Sequence, residues 1–243
     1  MDLVGKTALI TGGAHRVGRA IALELAGQMV NLVIHYNQSR DAAEQTATQL
    51  RDMGVDVLTH QADLSQHEGI LAMFRALDES GVSLDLLVNS AAILESVPLA
   101  SVTEADWHRT IDLNLKASFF CIQQAAQRMR QRGGGAIVNI SDIIGLRPSK
   151  RFPIHSISKA GIETLTRVAA LALAPEIRVN AVAPGPVMKP SKMIQERWDQ
   201  LARTLPLGRT GTASDVARTV VFLFENDYIT GETIVVDGGN QLV

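Results

Sequence analysis

His155 and Lys159 stand four residues apart in a stretch, 153–174, whose apolar residues recur at helical spacing, so the two side chains share one helix face. An imidazole and an ammonium on one face can give, hold or relay a proton near neutrality. A third candidate lies at the end of the apolar run Ala136–Ser141, which reads as a strand. Ser141 and Asp142 are neighbours leaving that strand, so their side chains point to opposite sides and only one can face a substrate. The chemistry on offer is acid–base catalysis, without any metal: no His/Cys/carboxylate cluster has zinc-ligand spacing. His60, His67 and His108 are scattered, and Tyr36 and Tyr228, the two tyrosines of the chain, lie far from the 153–174 helix in sequence.

A second group binds rather than reacts. Thr11-Gly12-Gly13-Ala14-His15-Arg16-Val17-Gly18 joins the run Thr7–Thr11 to a helical pattern over 17–28. Glycines between a strand and a helix allow a tight turn and the approach of a pyrophosphate to backbone N–H groups. Gly18 lets the helix pack close to the sheet. After the second strand, sites for NAD place a carboxylate against the ribose hydroxyls. This chain has His35-Tyr36-Asn37-Gln38-Ser39-Arg40 there instead. Arg16, His35, Ser39 and Arg40 can all donate to a 2′-phosphate, and no carboxylate repels one. The expected cofactor is therefore NADPH/NADP+.

These residues require a particular scaffold. Short apolar runs at Thr7–Thr11, Val30–Tyr36, Val55–Thr59, Leu84–Asn89, Ala136–Ser141, Ile177–Val182 and Thr233–Asp237 read as seven strands. Helical patterns cover 17–28, 41–53, 104–131 and 153–174. Strands alternating with such helices predict a single α/β domain over 1–243, a Rossmann-type doubly wound parallel sheet with helices on both faces. The Pro- and Gly-containing stretch 184–212 reads as a long substrate loop, with a short amphipathic helix over 192–203. The length of 243 residues, 46% hydrophobic and 20% charged, suits a globular protein with a sizeable core. A net charge of −2 gives no electrostatic case for nucleic acid. No apolar stretch is long enough for a membrane span, and no signal segment is evident, so a cytoplasmic location is expected. The single cysteine, Cys121, sits among Phe119, Phe120 and Ile122 and reads as a buried structural thiol. Trp107 and Trp198 read as packing residues, with Trp198 placed to cover substrate from the 184–212 loop.

The order of motifs resembles the short-chain dehydrogenase/reductase family over essentially the whole chain. Asp63-Leu64 follows the third strand, Asn89-Ser90-Ala91-Ala92 the fourth, Pro184-Gly185 the sixth, and Val236-Asp237-Gly238-Gly239 closes the chain. Thr-Gly-x-x-x-Arg-x-Gly and His-Tyr-x-x-Ser are similar to the pteridine reductase branch. The resemblance adds Val17, Tyr36, Asn37, Asp63, Leu64, Asn89, Ser90, Ala91, Pro184, Gly185 and Val187 to Gly12, Arg16, Gly18, His35, Ser39, Arg40 and Lys159 as cofactor contacts. It aligns Asp142, rather than Ser141, with the family's catalytic serine, as in pteridine reductases. It implies Asn114 as the fourth member of a catalytic group Asp142, His155, Lys159 and Asn114. The departure is His155, where the family carries tyrosine.

The resemblance thus implies NADPH-dependent reduction of a carbonyl or a pterin-like C=N bond, by a small-molecule oxidoreductase that assembles as a homotetramer. The altered site leaves open an alternative: an NADP(H)-binding protein with little turnover, acting as a sensor or through a partner. For the tetramer, the apolar positions Phe119, Phe120, Ile162 and Leu165 are expected to exceed what the sheet covers.

Overall fold

The computed structural model describes residues 1–191 and 193–243. Seven strands, β1 Thr7–Thr11, β2 Asn31–Tyr36, β3 Val57–Gln61, β4 Leu86–Asn89, β5 Gly135–Ile140, β6 Ile177–Pro184 and β7 Thr233–Val236, form one sheet in the order β3-β2-β1-β4-β5-β6-β7. Every pairing is parallel. The order reverses between β1 and β4, so their carboxyl ends open the crevice where a ligand binds in such sheets. This is the single-domain, doubly wound Rossmann-type sheet that the alternation of patterns predicts.

Alternation along β1 assigns its residues to the two covered faces. Ala8 and Ile10 pack with Ile21 and Leu25 of α1 (Arg16–Gly27), Leu50 of α2 (Arg40–Asp52) and Val220 of α9 (Ala213–Glu225). Leu9 faces the other way, toward Phe74 of α3 (His67–Glu79), Cys121 of α5 (Ala117–Arg130) and Ile162 of α7 (Pro153–Leu173). Complete burial of Cys121 pushes its thiol up to about 12, an inert packing group.

Several expected boundaries shift. The third strand begins at Val57 rather than Val55, because its register follows β2 to the pair Tyr36↔Gln61. The helix expected over 104–131 is two, α4 (Glu104–Ile111) and α5, joined by a π-helical turn at Asp112–Lys116. Helices α3 and α9 occupy stretches that apolar spacing alone leaves unassigned; α9 is announced by the capping box of Thr212 and Asp215. Within 184–212, α8 spans Gln195–Thr204, so the expected start at Lys192 lies outside the described residues. A single turn, α6 (Ile143–Leu146), follows β5.

Two expectations about apolar surface are corrected. Ile162 and Leu165 lie on the core face of α7 and offer nothing to a partner, whereas Phe119 on α5 is half exposed. Trp107 on α4 packs only in part and keeps 39% of its surface exposed. No helix among the described residues is long and apolar enough to cross a membrane.

Candidate active site

The glycine-rich turn between β1 and α1 is built for close approach. Gly12 has φ +66°, and a Cβ there would stand 3.0 Å from the Ala91 Cα. A Cβ on Gly18 would come within 2.3 Å of the Gly12 carbonyl oxygen, so only glycine lets α1 begin so near the turn. Thr11, at the end of β1, ties this turn to the end of β4: its hydroxyl oxygen accepts from Ser90 N at 2.9 Å and Ala91 N at 3.1 Å. Asn89 is buried beneath, and its Oδ1 has no hydrogen-bond partner. A turn cleared of side chains at the switch point fits the diphosphate half of a dinucleotide, whose oxygens take backbone N–H donors, and the unpaired Asn89 Oδ1 is left for a hydroxyl or amide donor.

Arg16 follows this turn at φ +55°, one of two non-glycine residues with positive φ among those described. It is exposed, as is Arg40, while Ser39 is half-buried. None of these three side chains is engaged by another described residue, which leaves two guanidinium groups and a hydroxyl free beside the end of β2.

His35 is a correction. Expected to donate to a 2′-phosphate, it is buried, and both ring nitrogens are occupied. Nδ1 accepts from Gly12 N at 3.1 Å, and Nε2 lies 3.0 Å from the Ala62 carbonyl, to which it donates. With Gly13 N bonded to the His35 carbonyl at 3.0 Å, His35 is the floor of the glycine turn. Burial holds its pKa down, from 6.5 to about 4, outweighing the Ala62 hydrogen bond. The unfolded chain therefore binds a proton that the folded one refuses between those values, and stability falls as pH drops through that window. The loss reaches roughly 3 kcal/mol at 1.36 kcal/mol per unit. Urea unfolding of wild type and His35→Asn at pH 7 and pH 4.5 checks this: the wild type should lose more stability than the variant between the two pH values, and equal losses would assign the acid sensitivity elsewhere.

Other expected cofactor residues divide by what they expose. Tyr36 is buried against Ala14 and Ala43, and Leu64 is in the core. The Val187 side chain is likewise buried, and its N–H bonds the Gly185 carbonyl at 2.8 Å. For Leu64 and Val187, then, only backbone groups could meet a ligand. Asp63 is exposed, with Oδ1 accepting from Ser65 N and Oγ at 3.0 and 2.7 Å. Asn37 is also exposed, and Gly185 has Asp237 pressed so close that a Cβ would lie 2.6 Å from that residue's own Cβ. Pro184 is buried at the end of β6, and Val17 is half-buried in the first turn of α1.

The chemical group gathers at the carboxyl ends of β4 and β5. Ser141 and Asp142, expected to point to opposite sides, both meet α7: the buried Ser141 hydroxyl donates to the Lys159 carbonyl at 3.4 Å, and the partly exposed Asp142 carboxylate approaches His155. The Asp142 Oδ1 accepts from Ile144 N at 2.8 Å, capping α6, and Oδ2 lies 3.5 Å from His155 Nε2. His155 is only 4% exposed. Its Nδ1 stands 3.0 Å from the Ile93 carbonyl and 3.2 Å from Asn114 Nδ2. Asn114 itself lies in the π-helical turn, where Oδ1 accepts from Ile93 N at 2.9 Å and Nδ2 donates to Ile93 O and Ser158 Oγ at 3.0 and 3.2 Å. Lys159 is buried, with Nζ donating to the Ile140 carbonyl at 2.6 Å. Burial pushes its ammonium down to about 8, against the attraction of Asp142 and Glu163.

Thus Asp142, His155, Asn114 and Lys159 meet in one place. The carbonyls of Ile93 and Ile140 and the hydroxyls of Ser158 and Thr11, which organise the group, were not singled out from sequence. Backbone carbonyls carry no sequence signal, though Thr11 precedes the glycines of a recognised turn.

A doubly wound parallel sheet with a phosphate-sized turn at its switch point and an acid–base cluster across the crevice defines a dinucleotide-dependent oxidoreductase. Residues 12–241 match the family model described as enoyl-(acyl carrier protein) reductase. The chain is 38% identical over 239 residues to the 3-oxoacyl-[acyl-carrier-protein] reductase FabG of Staphylococcus aureus, covering 96% of this chain and 97% of the relative. It is 33% identical over 249 residues to 3beta-hydroxysteroid dehydrogenase 1 of Eggerthella lenta, covering 99% and 95%. Among solved structures, FolM alternative dihydrofolate reductase 1 from Brucella canis, complexed with NADP, superposes with a TM-score of 0.94 at 31% identity, covering 100% of this chain and 96% of that one. The chain belongs to the short-chain dehydrogenase/reductase family, and is an NAD(P)-dependent oxidoreductase of that family.

Proposed function

We propose that the protein is an NADPH-dependent reductase of a carbonyl or pterin-like C=N group, working through Asp142, His155 and Lys159. The observation that carries this reading is the 3.5 Å approach of the Asp142 carboxylate to the His155 ring, one helical turn from a buried Lys159 and across the crevice from the glycine turn. When bound, the reduced nicotinamide supplies a hydride to the substrate carbon. The chain's own residues would supply the rest. Gly12, Gly18, Asn89, Ser90 and Ala91 clear and floor the diphosphate cradle. Arg16, Ser39 and Arg40 hold a 2′-phosphate, with His35 shaping the turn from beneath. Lys159 holds the nicotinamide ribose hydroxyls and keeps positive charge under the site. Asp142 and His155 provide the proton that balances the hydride.

The neighbour solved with NADP supports the choice of phosphate-bearing cofactor, and the relatives named as reductases support the direction. We also propose a homotetramer, supported by exposed Phe119, Ile157, Val168 and Leu171 on α5 and α7.

The test is NADPH oxidation against a panel of carbonyls, dihydropterins and cyclic imines, beside a titration of NADPH binding and light scattering of the same sample. Turnover on one substrate class, with a tetrameric mass, is expected. Tight NADPH binding with no turnover on any class would overturn the reductase in favour of a binding protein, and a monomer at micromolar concentration would overturn the assembly. His155→Tyr sharpens the result. If histidine is fitted to this site's substrate, the phenol should lower turnover of it; a rise from near zero would mean that the site has lost its donor.

A further inference from the structure

We infer that Asp142 is the residue that hands the proton to substrate, and that His155 is a positioning residue which stores this proton behind it. The inference rests on the reductase reading above.

The imidazole cannot reach a substrate as it stands. Its Nε2 is buried and has no hydrogen-bond partner, and Nδ1 is turned away against the Ile93 carbonyl. A carbonyl only accepts, so Nδ1 carries a hydrogen. The neighbouring Asn114 Nδ2 is itself a donor, and its two hydrogens have acceptors in Ile93 O and Ser158 Oγ. The ring is therefore clamped in one orientation, with Nε2 presented to Asp142 Oδ2 at 3.5 Å. A neutral ring held this way would set the lone pair of a buried, unpartnered nitrogen against a carboxylate oxygen, which is unfavourable. One proton between Nε2 and Oδ2 removes the conflict.

Asp142 has what the ring lacks. Its side chain is 27% exposed against 4% for His155, and Ile144 N occupies only Oδ1. Among the described residues, Asp142 is the one carboxylate within 4.0 Å of the ring. From the π-helical turn the ring meets the neutral amide of Asn114, and on its own helix the nearest charges are Lys159 and, a turn further, Glu163. In the proton step the Nε2–H bond breaks as Oδ2 takes the proton. Oδ2 then releases it to the substrate oxygen or nitrogen, which holds the electron pair of the former C=O or C=N π bond. His155 ends neutral and Asp142 ends as carboxylate, to be reloaded from water at its exposed face.

Nitrogen-15 NMR of histidine-labelled protein, without cofactor, tests the store directly. His155 should carry a hydrogen on Nδ1 in both proteins, and a second on Nε2 in wild type that is missing in Asp142→Asn, whose amide can donate to that nitrogen. An Nε2 without a proton in wild type, or in the same state in both proteins, overturns the inference. Kinetics on the turned-over substrate separate the roles. His155→Gln should lower kcat at least about tenfold with KM within about twofold, whereas Asp142→Asn should change both. The double variant should be no slower than Asp142→Asn alone; multiplied losses would mean that His155 acts on substrate itself. If wild type turns over nothing, the reductase reading fails, while the NMR result still decides whether the pair shares a proton.

Discussion

Lys159→Met is expected to be more stable than wild type at pH 7 and nearly inactive. The Lys159 ammonium sits in the core of the site, 5% exposed, with the Ile140 carbonyl as its hydrogen-bond partner. Burial lowers its pKa from 10.5 to about 8, although Asp142 and Glu163 pull it up. Between those values the unfolded chain binds the proton more readily than the folded one. Stability therefore rises with pH across that window, and below it the whole cost of the buried charge is present, on the order of 3 kcal/mol. Methionine keeps most of the stem's volume without the charge. We expect a gain of about 2 kcal/mol at pH 7, held below the full figure because Glu163 loses its cation while its Oε1 already has no partner. The gain should shrink toward zero as pH approaches the ordinary lysine value. Urea unfolding at pH 7 and pH 10 measures it, and a variant less stable at pH 7 would show that the ion pairs outweigh desolvation. Turnover should fall by about 10²-fold or more, since Lys159 is proposed to hold the ribose and to keep charge under the proton path. Stability conceded at a reacting centre is a common trade between fold and function.

Arg16→Gly is expected to separate the two nicotinamide cofactors. A left-handed backbone conformation costs an ordinary residue roughly 1–2 kcal/mol, and at φ +55° Arg16 bears that cost on an exposed site where glycine would not. Among the described residues no hydrogen bond or ion pair uses its side chain, which suggests that the strain persists for a ligand. Glycine should leave stability unchanged or raise it by up to about 1 kcal/mol. A charge-assisted hydrogen bond to phosphate contributes about 1.5–3 kcal/mol, so NADPH affinity should fall roughly 10- to 100-fold. NADH affinity should stay within about threefold, because it has no 2′-phosphate to lose. Fluorescence titrations with both cofactors decide the matter. Parallel losses for NADPH and NADH would assign Arg16 to the turn itself and leave Ser39 and Arg40 as the 2′-phosphate ligands.

Much of the protein follows from local pattern. The run Thr7–Thr11 is apolar at Ala8 and Ile10 on one face and at Leu9 on the other, so it reads as a strand covered on two sides, and the alternation of such runs with helical patterns predicts the parallel, doubly wound sheet. Gly12 and Gly18 were legible because their requirement is local: a positive φ in one case, a helix pressed against a turn in the other. The four-residue spacing of His155 and Lys159 placed both on one helix face in the same way. Tertiary structure decided what each polar group touches. His35 reads as a phosphate donor by its place after β2, yet it lies under the glycine turn with both nitrogens bonded, because the parallel register sets β2 beside β1. Asn114 enters the site through a π-helical turn that apolar periodicity over 104–131 does not reveal. The burial of His155 depends on the Ile93 carbonyl, 62 residues away in sequence, and on Asp142 across the turn from β5 to α6. Residue types and spacing determine which acids, bases and donors the chain possesses. Which of them meet solvent, and which face only one another, is fixed by long-range packing that no local window contains.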